Sequence, residues 1–477
     1  MAAFMRPFLR KNDTVTGLED RWRILPDRPI ESIADYASFG GGRGLARSRD
    51  LGSEEVIDQL TRAGLRGRGG AGFPTGAKWR SILRGGGQHH YAVCNAGEGE
   101  PGTFKDRALI RSNPYQVIEG LIIAARTVGA NEAFVGIKES FQVEMGRLTD
   151  AISEFEEAGW LDGVGVTVVA GPEEYLLGEE KAMLEVIEGN EPLPRWLPPY
   201  LHGLFATAPQ LGWDAHEAEP GHSGTHTSNP TLVNNAETLA QAAWILSHGA
   251  DQFRTMGTEE SPGTLVCTVV GDVVHPDVFE LEMGTPLQEA LDHAGGSLPG
   301  RTVKAVVPGV ANAVLTSEHL GTPLSYEDMQ AVGSGLGAGG FIVYDDSACM
   351  VEVATTLSNF LYVESCGQCL PCKLGTGHIT RALVEIREGN GSESELDEIE
   401  ERLRIVADAN RCYLPVQEQN LISSILRLFP DDVAAHLGGG CPAGNRTIPT
   451  PKVVDLVDGV VTYDQRQEQK RPDWTYG

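Results

Sequence analysis

The sequence predicts an α/β protein: a mostly parallel sheet with helices on its faces, then a small α+β domain and a helix-rich C-terminal region. Three observations carry that reading. From "HYAVCN" at residue 90 onward, short apolar runs alternate with segments of helical length and period. Near Gly263 the texture changes to short β-branched runs and turns with a single helix. Between residues 348 and 436 helical patterns dominate, with three cysteines in a loop between two of them.

Taken in order, residues 1–50 read as an irregular arm, because "FGGGRG" is too rich in glycine to hold a regular element. From Ser53, "SEEVIDQLTRAG" reads as a helix capped by that serine. The dense loop "GLRGRGGAGFPTGAKW" follows. "HYAVCN" is then a strand, and "PYQVIEGLIIAARTVGA" a helix opened by Pro and closed near Gly129. "AFVGIK" is a strand, residues 142–158 a helix, "GVTVVAG" a strand and "YLLGEEKAMLEVIEG" a helix. Residues 213–228, with His216, His222 and His226, read as an exposed polar insertion. The resulting domain boundaries are an arm at 1–50, an α/β domain at 51–262, a small α+β domain at 263–342, a helical domain at 343–445 and a tail at 446–477.

Composition narrows the function. A chain of 477 residues with 66 acidic and 38 basic side chains carries a net charge of -28. Such a charge argues against nucleic acid and anionic membrane as partners. No run approaches the roughly 20 apolar residues of a membrane span, and the N-terminus lacks the apolar core of a secretory signal. The expected location is cytoplasmic, with no direct membrane insertion; attachment to the inner face of a membrane would be peripheral, through a larger complex. Eight cysteines are too sparse for a disulfide scaffold, and those that cluster read as metal or redox ligands.

The glycine loop satisfies G-x-G-x-x-G at Gly67, Gly69 and Gly72, yet the pattern predicts a helix before it where the dinucleotide fingerprint needs a strand. What remains is a loop whose backbone N–H groups, with Arg66, Arg68 and Lys78, suit a phosphate-bearing cofactor. "CNAGEGEPGTFKDR" (94–107) leaves the C-terminal end of a predicted strand, the edge where open α/β sheets bind ligands. "GEE" (178–180) falls at a comparable edge, and "TLVNNAETLA" supplies the amides of Asn234 and Asn235.

Cys366, Cys369 and Cys372 form a Cys-x2-Cys-x2-Cys run, the spacing of iron–sulfur ligation. Thr376 stands where the bacterial pattern would place its fourth cysteine. Cys412, before Pro415 at a break in a helical pattern, is the first candidate for the missing ligand, and Cys441 the second. Cys94, Cys267 and Cys349 read as small packed hydrophobes. A four-cysteine zinc site is the competing reading. A flavin-like pocket and an iron–sulfur cluster on one chain together describe a splitter of electron pairs.

The ordered set "GLRGRGGAGFPTGAKW", "EGEPGTFKDR", "GEE", "VNNAETLA", "GDVVHPDVFELEMGTPL" and "ESCGQCLPCKLGT" resembles the flavin- and NADH-binding subunit of respiratory complex I. It also resembles the diaphorase subunits of NAD-linked hydrogenases and formate dehydrogenases. The resemblance implies a parallel-sheet FMN-binding domain, a β-grasp-like soluble-ligand-binding (SLBB) domain and a helical bundle with a [4Fe–4S] cluster on Cys366, Cys369, Cys372 and Cys412. It implies that Gly67, Arg68, Gly69, Gly70 and Lys78 hold the FMN phosphate and ribityl chain. Asn95, Glu98, Tyr175, Gly178, Glu179, Asn234 and Asn235 would line the flavin, Phe73 would stack on the nucleotide, and Glu100 and Glu180 would meet its nicotinamide side. NAD(H) is then the substrate. The implied partners are a small thioredoxin-like [2Fe–2S] subunit and a larger iron–sulfur subunit.

The chain departs from that family at Gly97 (usually Asp), Gly99 (often Ser), Leu177 (Cys) and Lys181 (a small residue). It departs also at Ser81 and Tyr200, where relatives carry Phe, and at Leu197, where they carry Lys. Loss of one aromatic face costs about 0.5–1.5 kcal/mol of nucleotide binding. Two alternatives therefore stand beside the dehydrogenase reading: an electron relay or scaffold without nucleotide turnover, and a zinc-stapled interaction protein.

Overall fold

The computed structural model describes residues 24–87, 89–208, 210, 226–441 and 446–476. Most of the His-rich insertion, His216 and His222 included, lies outside them. The described chain forms two compact units, one of residues 24–98, 106–173 and 177–264, the other of 99–105, 174–176 and 265–476.

The first unit is built on a four-stranded, fully parallel sheet of order β3-β2-β1-β4, with β1 Tyr91–Ala96, β2 Glu132–Lys138, β3 Gly165–Gly171 and β4 Thr231–Asn235. After β1 the chain steps outward to β2 and β3, then returns to the opposite side of β1 for β4. The boundary between β1 and β4 is thus the sheet's switch point, where the C-terminal strand ends part and leave a crevice.

Around the sheet run helices α1 Ile33–Ser38, α2 Arg43–Asp50, α3 Ser53–Ala63, α4 Thr75–Leu83, α5 Lys105–Ser112, α6 Pro114–Val128, α7 Gln142–Glu157, α8 Glu180–Ile187, α9 Ala236–His248 and α10 Ala250–Phe253. Every residue of α6 except Arg126 is buried, and the helix packs on the equally apolar α9. Close approach is what permits this. A Cβ on Gly120 would stand 2.0 Å from the carbonyl oxygen of Leu239. Gly120→Val is therefore expected to cost about 3 kcal/mol or more, since backbone, not a yielding side chain, blocks it; thermal melts of the purified variant check this.

The segment expected to be an irregular arm instead carries α1 and α2. Buried Glu119 of α6 explains why glycine-rich chain is ordered there. Its carboxylate accepts the Tyr36 hydroxyl and the N–H groups of Gly42 (2.9 Å) and Leu45 (2.7 Å). Gly44 lies so close to Ala243 that a Cβ would come within 2.6 Å of its carbonyl oxygen. Two helix starts also differ from expectation. Gly52, not Ser53, caps α3, with Glu55 reaching back to its N–H at 2.6 Å. The segment at 175–187 is a short 3-10 turn, Tyr175–Gly178, and then α8, because Glu179 caps at the break.

The second unit contains a mixed five-stranded sheet of order β6-β5-β9-β7-β8, with β5 Thr264–Gly271, β6 Asp277–Glu282, β7 Val303–Val307, β8 Leu315–Thr316 and β9 Gly340–Asp345. Parallel β5–β9 and antiparallel β7–β9 pairing, with α11 Leu287–His293 and α12 Tyr326–Ala331, enclose a core that includes Cys267, Leu287, Phe341 and Val343. Helices α13 Met350–Glu364, α14 Leu370–Arg387, α15 Glu393–Ile405, α16 Leu414–Leu428 and α17 Pro430–Leu437 follow. The tail forms a hairpin, β10 Val453–Val457 and β11 Val460–Tyr463, and then a 3-10 turn, Gln465–Gln469.

Candidate functional site

At the switch point, β1 and β4 run in register with Cys94 beside Asn234 and Asn95 beside Asn235. Each amide is pinned. Asn95 Nδ2 donates to the Gly178 carbonyl at 2.7 Å, Trp79 Nε1 donates to Asn234 Oδ1 at 2.7 Å, and Asn235 donates to Asp106 at 2.6 Å. Asn235 Oδ1 also accepts the N–H of Glu237, capping α9. Backbone comes close on both flanks: a Cβ on Gly69 would lie 3.1 Å from Asn235 Cβ, and one on Gly178 would lie 3.0 Å from the Gly97 carbonyl oxygen. Side chains at 69 and 178 would fill this cradle, so glycine there keeps it open.

The glycine loop is a closed excursion pinched at its base. Gly67 N–H bonds the Phe73 carbonyl at 2.8 Å, Thr75 N–H bonds that of Leu65 at 2.9 Å, and Gly70 and Gly72 take positive φ. A helix, α3, precedes it where a dinucleotide fingerprint would need a strand. Arg68 does not face a ligand. Its buried guanidinium donates to the carbonyls of Thr264, Pro262 and Arg66, and lies 4.0 Å from Glu237, so it fastens the loop to the unit's interior. The loop's cation is Lys78, in α4, 2.7 Å from Glu180 and only partly covered. Glu98 is committed too: buried, it accepts from Asp106 N–H and Arg107 Nε at 3.2 Å and caps α5. Glu179, which caps α8 through the N–H groups of Lys181 and Ala182, is pushed up to about 7 by burial against the opposing pull of Lys181. Phe73 and Tyr200 are more than half and half exposed, free to cover a planar ligand. The donor set fits a phosphate with a flat heterocycle: loop amides, Lys78, a helix N-terminus and three carboxamides.

Glu100 and Tyr175 belong to the second unit. The Tyr175 hydroxyl donates to Glu100 and accepts from Gln417 Nε2 at 2.7 Å, while Glu100 also accepts the N–H of Val310 at 2.7 Å. Burial pushes the Glu100 carboxyl up.

Also in the second unit, Cys366, Cys369, Cys372 and Cys412 line one hollow with Ser365, Asn410, Arg411, Leu414 and Pro415. Cys369 is the N-cap of α14, Cys372 lies in its first turn, and Cys412 stands two residues before α16. Two helix N-termini therefore point at the thiols and favour negative charge there. Burial, reinforced by Cys366 and Cys369, pushes the Cys372 thiol up to about 12, so ligation has to displace protons. Four thiols without an imidazole fit a [4Fe–4S] cluster. Cys441 does not line this hollow; it lies with Cys349 and His436. Cys349, read from sequence as a packed hydrophobe, thus has polar company.

A flavin-type cradle at a sheet's switch point and a four-cysteine hollow define an iron–sulfur flavoprotein oxidoreductase of the electron-splitting kind. Residues 60–244 match the Nuo51 FMN-binding domain, 266–307 the SLBB domain and 352–436 the NADH-ubiquinone oxidoreductase-F iron–sulfur binding region. The chain is 36% identical to an NADH-quinone oxidoreductase F-type chain of Rhizobium meliloti, over 85% of this chain and 94% of that one. It is 35% identical to HndC of the NADP-reducing hydrogenase of Solidesulfovibrio fructosivorans, over 87% and 82%. A crystal structure of NAD+-reducing [NiFe]-hydrogenase in the H2-reduced state aligns with a TM-score of 0.75 at 30% identity, over 88% of this chain and 67% of that one. The chain belongs to the NADH-quinone oxidoreductase F family, which includes hydrogenase diaphorases.

Sequence reasoning missed several residues that organise these sites: Trp79, which orients Asn234; Asn410 and Arg411 at the cluster hollow; and His436. Only the last had a legible signal, a histidine five residues before a cysteine in "HLGGGC".

Proposed function

We propose that the chain oxidises NADH, or reduces NAD+, at FMN held in the first unit, and passes single electrons through the cluster of the second to a partner iron–sulfur subunit. FMN supplies hydride exchange with nicotinamide, and the cluster supplies one-electron transfer. Gly67 closes the base of the loop, and the loop amides of Gly69 and Gly70 with Lys78 bind the phosphate. Asn95, Gly178, Glu179, Asn234 and Asn235 seat the ring, and Phe73, Tyr200 and Glu180 meet the nucleotide. The four-cysteine hollow carries the reading, since a flavin site alone needs no one-electron outlet.

Relatives named as subunits of NADH-quinone oxidoreductase and of a hydrogenase support the presence of partner subunits. The partners of this proposal are a small thioredoxin-like [2Fe–2S] protein and a larger iron–sulfur protein. No helix among the described residues is long and apolar enough to cross a membrane. A peripheral place on the inner membrane face, through such a complex, fits that observation.

Anaerobic addition of NADH, then NADPH, to the purified holoprotein tests the function. Bleaching of the flavin band followed by the EPR signal of a reduced cluster is expected. A flavin that dithionite reduces and neither nucleotide does would leave only the electron-relay reading. Ser81, exposed on α4 with its hydroxyl on the Lys78 carbonyl at 2.8 Å, supplies no aromatic face. Ser81→Phe is expected to lower KM for NADH roughly 2–10-fold with kcat nearly unchanged, read by steady-state kinetics.

A further inference from the structure

We propose that Cys349, His436 and Cys441 form a second metal site, a zinc site of two thiolates and one imidazole, separate from the cluster hollow. Their ligand atoms all lie within 4.8 Å of one another, and Cys349 Sγ is 3.1 Å from His436 Nε2. Tetrahedral zinc with these ligands spaces them by about 3.5–3.8 Å, so small side-chain shifts suffice.

The imidazole is already set for ligation. His436 Nδ1 lies 3.0 Å from the carbonyl oxygen of Arg387. A carbonyl only accepts, so Nδ1 carries the proton and the Nε2 lone pair faces Cys349. A backbone carbonyl behind the ring is the usual outer partner of a metal-bound histidine. The scaffold around Cys349 is equally fixed. Asp432, in the first turn of α17, accepts the Met350 N–H at 2.8 Å and the Lys304 ammonium at 2.7 Å, and Lys304 also donates to the Ala348 carbonyl at 2.8 Å. Both chain neighbours of Cys349 are thereby tied to the helix that carries His436. Cys349 sits at the N-cap of α13, which fixes its backbone. Cys441 arrives after three glycines, Gly438–Gly440, which let the chain turn back toward α17.

Chemistry selects the ion. Two thiolates neutralise a divalent charge, which suits a site where Cys349 and His436 are 2% and 3% exposed. Mixed sulfur and nitrogen donors favour zinc over magnesium or calcium, and three donors are too few thiolates for a [4Fe–4S] cluster. Among the described residues no fourth side chain joins them, and water completes the tetrahedron. The ion staples the start of α13 to α17 and to the chain leading into the tail.

The test is metal analysis and zinc K-edge absorption on the full chain, purified with its cluster from zinc-supplemented cells. The expected result is about one zinc beside about four irons per chain, with two sulfur neighbours near 2.3 Å and one nitrogen near 2.0–2.1 Å. Cys349→Ser and His436→Gln are expected to lower zinc at least tenfold while iron stays at four. Three outcomes overturn the proposal: wild-type protein without zinc; zinc with four sulfur neighbours and a matching iron deficit, which would place it in the cluster hollow; or Cys349 and Cys441 recovered as a disulfide. The wild-type spectrum alone decides even if a variant fails to fold.

Discussion

Cys412→Ala is expected to abolish the [4Fe–4S] cluster while leaving NADH able to bleach the flavin. Cys366, Cys369 and Cys372 come from one short loop and the helix start after it, whereas Cys412 reaches the same hollow from the approach to α16. Three thiolates leave one iron of a cubane without a protein ligand. No other cysteine among the described residues lines the hollow, because Cys441 is engaged with Cys349 and His436. Iron should fall below four per chain and the reduced-cluster EPR signal should vanish. Electron delivery to the partner subunit should drop more than about 100-fold, the upper range for losing a mere outer-shell partner. Flavin bleaching by NADH should stay within about threefold of wild type, because that chemistry needs only the first unit's cradle. A normal cluster in Cys412→Ala, together with its loss in Cys441→Ala, would reverse the ligand assignment.

What the sequence revealed follows from how local each signal is. Strands β1 to β3 were legible because each is a short, largely apolar run set between segments of helical period whose ends are marked, as with Asn113 and Gly129 around α6. The cysteine run was legible because its spacing is itself the chemistry. Long-range pairings were not. That Glu119 would order the arm through Gly42 and Leu45 depends on contacts more than 70 residues away. Arg68 looked like a phosphate ligand because its neighbours in sequence are glycines. Only the fold shows its guanidinium consumed by the carbonyls of Pro262 and Thr264. The tail hairpin does carry a local signal: Asp458 and Gly459, both at positive φ, are the Asp-Gly pair of a type I′ turn.

Lys470→Met is expected to release the C-terminal strap from the second unit. Glu364, at the end of α13, and Lys470 both have fully buried side chains, with Lys470 Nζ 2.8 and 2.9 Å from the two carboxylate oxygens. Gln467 and the N–H of Tyr175 complete the carboxylate's partners at 3.0 and 2.9 Å. Burial alone would raise this carboxyl, but Lys470 outweighs it and the group is held below its usual range. The sign follows. Ionised Glu364 contributes stability above the ordinary carboxylate pKa of about 4.5, and that contribution is lost as pH falls through the lower folded value. Replacing the lysine leaves a buried carboxylate without its countercharge, a loss of about 3–5 kcal/mol. Limited proteolysis should then cut within 451–476 far faster than in wild type at pH 7, with the difference shrinking toward pH 3. The effect should reach the cluster. Lys373, next to Cys372, donates to the carbonyls of Ser365 (2.7 Å), Tyr362 (3.3 Å) and Pro472 (2.6 Å), and the last belongs to the strap. Undocking removes one of three anchors from a cation beside the cluster, so the EPR line shape should change while flavin absorbance does not. An unaltered digestion pattern in Lys470→Met would assign the docking to the hairpin and the Lys452–Asp464 pair instead.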